Sequence, residues 1–194
     1  MVTFGNVDRD GQHYKRYLMN DKKLNMDFQE DHLRNLHRVP WFNDLSPVAL
    51  EKLARITAIR GFNAGDVLFK EGDAEICLFV LLEGEIVLQT HAPGYGEVEI
   101  FTAEPLDVIG WSGLTPVVRQ RTDTAIARSD SQLICFDSAM LRHLCEEDHE
   151  FGYVIMRRIA NVAASRLLTT RLHLFEVIRS QTEHQNTMAL PKSD

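Results

Sequence analysis

The sequence predicts an α+β fold: an antiparallel, jelly-roll-like β-roll flanked by short N-terminal helices and followed by a long C-terminal dimerisation helix. Three features carry that expectation. Between Ala58 and Asp137 the chain is a succession of short β-type runs broken by glycine-containing turns. Just before it, Ser46 followed by Pro47 is a helix start, because serine caps well and proline tolerates the first helical position. After it, residues 151–179 contain no proline and carry a heptad-like apolar pattern.

The elements follow in order. Residues 1–25 are polar, mixed in charge and without sustained periodicity, which reads as a loosely docked arm. "MDFQEDHLRNLHRV" places Phe28, Leu33 and Leu36 on one helical face, and "SPVALEKLA" does the same for Leu50, Leu53 and Ala54. "DVLFKEG", "CLFVLLEGEIVLQT" and "EVEIFTAE" are strand-like, and "APGYGE" is a turn. In "GEVEIFT", Val98 and Ile100 alternate with Glu97, Glu99 and Phe101, the pattern of an antiparallel strand with one more exposed face. "TAIAR" and "QLICFD" supply two more strands, and helix returns from Ser138. With no helices between these strands, a sandwich or barrel is the expected arrangement. The domain spans 26–150, the long helix 151–179, and a fraying tail 180–194.

The helix 151–179 has a seam at Met156, Ala160, Ala163, Leu167, Thr170, Leu174 and Val177. Its alternating spacing of three and four is that of a coiled-coil interface, and its alanines allow close approach of a partner helix. A homodimer is expected, although any domain helix also needs an apolar stripe for its own core.

Composition excludes several classes. The apolar fraction of 44% and charged fraction of 25% are those of an ordinary globular protein, and no apolar run has membrane-spanning length. The N-terminus lacks the apolar core of a signal peptide, so the cytoplasm is the expected compartment. A net charge of −7 disfavours general attraction to nucleic acid. Arg157, Arg158, Arg166, Arg171 and Arg179 form the one candidate basic patch. Cys77, Cys135 and Cys145 form no C-x-x-C pair and read as free thiols, the first two buried in strands. His143, Cys145 and His149 are too few for a zinc site, and no cysteine precedes Cys77 to hold an iron–sulfur cluster. Nucleophile-elbow, metalloprotease and Walker motifs are lacking, so an enzyme is not expected.

Several local stretches agree on a family. "FNAGDVLFKEGDAEICLFVLLEGEIVL" resembles the signature of the cyclic nucleotide-binding domain through Gly65, Asp66, Glu71, Gly72, Asp73, Phe79 and Gly84. "WFNDLSPVALEKLA" is similar to the family's entry helix. "SRLLTTRLHL" is similar to the dimer helix of the catabolite-activator and fumarate-nitrate-regulator branch. The resemblance covers about 40–179 and implies a regulatory module that binds cyclic AMP, cyclic GMP or a related small anion. It also implies signalling to a protein partner of unknown identity. Transcription factors of that branch continue into a helix-turn-helix; the residues beyond Arg179 are too few for one, so direct DNA binding is not expected.

The resemblance makes "DVIGWSGLTPVVRQRTDTAIA" the phosphate-binding cassette. Such a site uses backbone N–H groups at a helix start and an arginine paired with the phosphate. By analogy Gly110 is the cassette glycine, Ser112 and Gly113 open the helix, Arg121 is the phosphate arginine and Thr122 can add a hydroxyl. Arg119 is a spare cation. Thr169 and Thr170 lie near the family's base-contacting position on the long helix, and Thr170 also lies on the seam.

Three residues depart from the pattern. Trp111 replaces the glutamate that accepts from the ribose 2′-hydroxyl, and an indole has no acceptor. Leu106 stands where the preceding turn has glycine, and Asp123 where a small apolar residue is usual. Unit charges ~5 Å apart at an effective dielectric near 20 interact by roughly 3 kcal/mol. Asp123 therefore either pairs with Arg121 and occupies the anion site itself or points to solvent. The first case gives a second reading of the whole protein, a constitutive dimeric scaffold with a closed pocket.

Overall fold

The computed structural model describes residues 31–74, 77–115 and 120–188, without the side chains of 173, 176–178 and 180–188. The expected arm 1–25, Phe28, and Arg119 of the cassette lie outside the described residues. Helix α1 occupies 31–38, where Leu36 is buried and Leu33 packs beside it. A 3-10 turn, Pro40–Phe42, leads to α2, Pro47–Ala54. Ser46 caps α2 as expected: its Oγ accepts from the Ala49 N–H at 3.2 Å, and Pro47 supplies the first turn. The face α2 buries is the predicted Leu50, Leu53 and Ala54, joined by Ala49.

Eight strands follow among the described residues: β1 Thr57–Phe62, β2 Val67–Phe69, β3 Cys77–Glu83, β4 Ile86–Ala92, β5 Gly96–Ala103, β6 Val108–Ile109, β7 Thr124–Ala127 and β8 Ser131–Asp137. They form two four-stranded sheets, ordered β1-β8-β3-β6 and β2-β7-β4-β5, in which every pair is antiparallel. The unbroken apolar run of β3 has a clear cause. Phe79 and Leu81 face the second sheet, while Leu78, Val80 and Leu82 face the helices. A strand covered on both faces loses the apolar–polar alternation. β8 behaves likewise, with Leu133 and Cys135 inward and Ile134 and Phe136 under the helices.

β5 departs from its expected alternation. Its register against β4 shifts between Leu88 and Gln89, so Leu88 pairs with Phe101 while Gln89 pairs with Glu99. The shift leaves Ile100 as an extra residue, and Glu97, Val98 and Glu99 are all exposed. The two-residue β6 escapes sequence reading because it is too short to show a period, and β1 because its residues TAIRGF show no apolar–polar alternation.

Helices α3, Ser138–Glu147, and α4, His149–Met188, close the fold. Asp137 caps α3 through the Met140 N–H at 2.9 Å. α4 starts slightly before Phe151 and runs past Arg179 to Met188. Its first turns bury Phe151, Ile155 and Ile159 in the cluster shared with α1, α2 and the first sheet. Further on, the seam residues Leu167 and Leu174 are 64% and 55% exposed, so the seam is distinct from the core face. Leu168, Leu172 and Phe175 are exposed as well. Arg158 and Arg166 of the candidate basic patch turn into the fold, the former bonded to Asp44 at 2.8 Å. No helix among the described residues is long and apolar enough to cross a membrane.

Candidate ligand site

The candidate cassette, residues 107–127, is built on turn chemistry set by its neighbours. In the Glu71–Asp73 turn, the Gly72 N–H donates to the Arg121 carbonyl at 2.9 Å, and the Arg121 N–H donates to the Asp73 carbonyl at 2.8 Å. Asp73 locks that turn through the Lys70 N–H at 2.8 Å. The Glu-Gly-Asp stretch thereby fixes the backbone of Arg121. Gly84, at φ +94, has the Asp130 carbonyl 2.6 Å from where a Cβ would sit, so only glycine fits there.

Arg121 does not point to solvent. It is 3% exposed, its Nη2 donates to the Cys77 carbonyl at 2.5 Å, and its guanidinium carbon lies 4.0 Å from the Phe69 ring centroid. Gly110, the residue capping the next helix, has φ +70, and a Cβ there would fall 2.1 Å from Arg121 Nη1. Gly110 is thus required twice, by its left-handed backbone and by the arginine stowed beneath it.

The helix start is a four-residue 3-10 turn, Trp111–Leu114. Ser112 and Gly113 are buried, and Arg142 of α3 donates to the Gly113 carbonyl. Trp111 is half-buried and packs against the cluster beneath the helices, on the opposite side of the first sheet from the Phe69 and Phe79 cluster. Residues 122–123 form a bend before β7, so strand alternation does not place Asp123 beside Arg121. Thr122 is exposed and Asp123 half-buried. The Thr170 hydroxyl donates to the Arg166 carbonyl at 2.9 Å, on an exposed face of α4.

Arg142 and Arg166 are the contributors that sequence reading missed. Arg166 was singled out only as part of a basic patch, yet its position one helical turn before Thr170 already puts both on one face. Its guanidinium lies over the Phe101 ring and its Nη2 donates to the Val108 carbonyl at 3.3 Å. Burial lowers its pKa to about 10, partly offset by the carboxylates of Asp107 and Asp123. No sequence spacing links Arg142 to Gly113; only the packing of α3 does.

A cavity of about 430 Å³ lies beside this point, between α4 and the turn joining β5 to β6. Its described lining includes Asp107, Val108 and Arg166, but not Gly110, Trp111 or Arg121. The thiols lie elsewhere: Cys77 and Cys135 are buried between the sheets, and hydrogen bonding to Cys135 and burial both push the Cys77 pKa up. His143 pairs with Glu147, Nε2 to Oε1 at 3.3 Å.

Residues 59–148 match the family model of the cyclic nucleotide-binding domain. Among solved structures, the chain is similar to a putative cyclic nucleotide-binding protein from Geobacter metallireducens GS-15, at 27% identity and TM-score 0.61, covering 69% of this chain and 96% of that one. It is similar to the N-terminal domain of a transcriptional regulator from Streptomyces coelicolor A3(2), at 26% identity and TM-score 0.55, covering 70% and 94%. The regulatory domain of Toxoplasma gondii PKA, solved with cAMP, shares the fold at 17% identity and TM-score 0.63, covering 74% and 52%. Among curated proteins no sequence matches. Residues 59–148, then, carry the match to the cyclic nucleotide-binding domain model, on a β-roll fold that this chain shares with those solved proteins.

Proposed function

We propose that the chain is a non-catalytic cytoplasmic regulatory domain that binds a cyclic nucleotide or related small anion in its cassette and works as a homodimer through α4. One observation carries this reading: the backbone of Arg121 is pinned in place by the Glu71–Asp73 turn, with its guanidinium directly beneath Gly110. A phosphate at that glycine meets the strongest anion-pairing side chain available. Trp111 gives the sugar no acceptor, so selectivity for a ribose 2′-hydroxyl is weak and the phosphate dominates affinity. Binding shifts α4, which Arg166 ties to Val108 two residues before Gly110, and a protein partner reads the shift.

The second reading, a constitutive scaffold, is favoured by the depth of Arg121, whose guanidinium already has the Cys77 carbonyl and the Phe69 face. Calorimetry and thermal shift with cyclic AMP, cyclic GMP and cyclic dinucleotides separate the two. A ligand at 100 times its dissociation constant stabilises by about 2.7 kcal/mol. Loss of that response in Arg121→Ala and its enhancement in Asp123→Ala support the ligand-binding domain; a flat panel in all three proteins leaves the scaffold.

A further inference from the structure

The cavity beside α4 carries a second reading of its own. Its charged lining residues are of both signs: Arg166 of α4, and Glu104 and Asp107 of the turn between β5 and β6. The rest of its lining combines the apolar Trp41, Phe101, Leu106, Val108 and Val162 with the hydroxyls of Thr102 and Ser165. We propose that this cavity is a small-molecule site separate from the cassette, and that its ligand is a zwitterion with an apolar body, an α-amino acid with an aliphatic or aromatic side chain.

Charge selects the class. A purely anionic ligand meets Glu104 and Asp107, and a purely cationic one meets Arg166; each suffers repulsion inside a partly desolvated space. A zwitterion with its ammonium toward Glu104 and its carboxylate toward Arg166 avoids both. The groups have the capacity. Glu104 is exposed, and Asp107 spends Oδ2 on the Glu104 N–H at 2.9 Å. A guanidinium has five N–H donors, of which the Val108 carbonyl takes one. The volume of about 430 Å³ lies within the range of small-ligand pockets.

Leu106 is an independent observation. It has φ +80, the sole non-glycine residue with positive φ among those described, in the turn where the resemblance leads one to expect glycine. Backbone strain of this kind persists where something else requires the side chain. Here the side chain is 43% exposed, so burial in the core is not the reason; it forms part of the cavity wall. An apolar ligand body covers it. The ligand's carboxylate holds Arg166, which ties α4 to β6, so occupancy stiffens the joint where the helix leaves the roll.

Titration calorimetry of the whole chain with L-phenylalanine and L-leucine tests this. N-acetyl-L-phenylalanine, which keeps only the carboxylate, and L-phenylalaninamide, which keeps only the ammonium, are the controls. The expected result is binding of at least one amino acid, with both singly charged analogues weaker by about tenfold or more. Glu104→Gln, on an exposed side chain, weakens binding by a similar factor. Leu106→Gly weakens it while raising the melting temperature, which a merely structural leucine would not do. Arg121→Ala leaves amino-acid affinity within about twofold while removing any cyclic nucleotide response, so the two sites fail separately. No heat of binding at millimolar amino acid, equal binding by either analogue, or loss of binding in Arg121→Ala overturns the proposal.

Discussion

Leu106 shows how a single residue departs from its surroundings. A left-handed backbone costs a β-carbon-bearing residue roughly 1–2 kcal/mol, and the turn that imposes it is held by the Leu106 N–H donating to the Leu81 carbonyl at 2.7 Å. Leu106→Gly is therefore expected to stabilise the protein by about 1 kcal/mol, seen as a higher denaturant midpoint with an unchanged slope. Gly110→Ala acts in the opposite sense. Its Cβ lands on Arg121 Nη1, and the added strain destabilises the fold by about 1–3 kcal/mol in the same measurement. The cysteines make a chemical prediction. Burial and the neighbouring Glu146 and Asp148 raise the Cys145 pKa from 9.0 to about 11. Its thiolate fraction at pH 8 is then about a hundredfold below that of an unshifted thiol, so native-state alkylation by iodoacetamide is slow and accelerates as pH rises toward 11. The sign follows from the raised value: whatever stability the protonated thiol contributes is full below pH 9 and is lost as pH rises through about 11. At this scale the sequence singled out Gly110 and Arg121, but the inward course of Arg121 was not legible in it. That course depends on Phe69 and Cys77, which lie far from it in the chain.

Among the elements, α4 has two unlike parts. Its first turns bury Phe151, Ile155 and Ile159, whereas beyond Arg166 it exposes large apolar side chains. The heptad spacing picks out Leu167 and Leu174 as the centre of the proposed dimer seam. Leu167→Glu with Leu174→Glu should convert dimer to monomer in sedimentation velocity while leaving the circular dichroism of the roll intact. A dimer that persists through that double change places the interface elsewhere. The helix starts were readable because caps act locally: Ser46 and Pro47 encode α2 within a few residues. β6 was not readable, since two residues have no period and their strand state exists through pairing of Val108 with Val80 and Ile109 with Phe79. Ser112 and Gly113 read in the sequence as a helix start, which says nothing of their burial. Both are buried, because α3 and α4 pack over that turn.

Taken whole, the molecule is a roll with an interior between its sheets, a second core under its helices, and one helix that runs beyond both. If α4 dimerises, folding and association are coupled, and the melting temperature rises with protein concentration across a micromolar series. A melting point independent of concentration argues for a monomer. By itself the sequence determined the succession of most elements, the glycine turns, the start of α2 and the resemblance to the cyclic nucleotide-binding domain. Those properties depend on periodicity, capping and backbone freedom, which act over a few residues. Only the tertiary structure decided where the charged side chains go. Arg121 stacks on Phe69, Arg142 holds Gly113, Arg158 holds Asp44, and Arg166 crosses to Phe101 and Val108. An arginine is long enough to choose among several partners. Its choice is made by burial and by which distant carbonyl, carboxylate or ring the packed elements bring within reach.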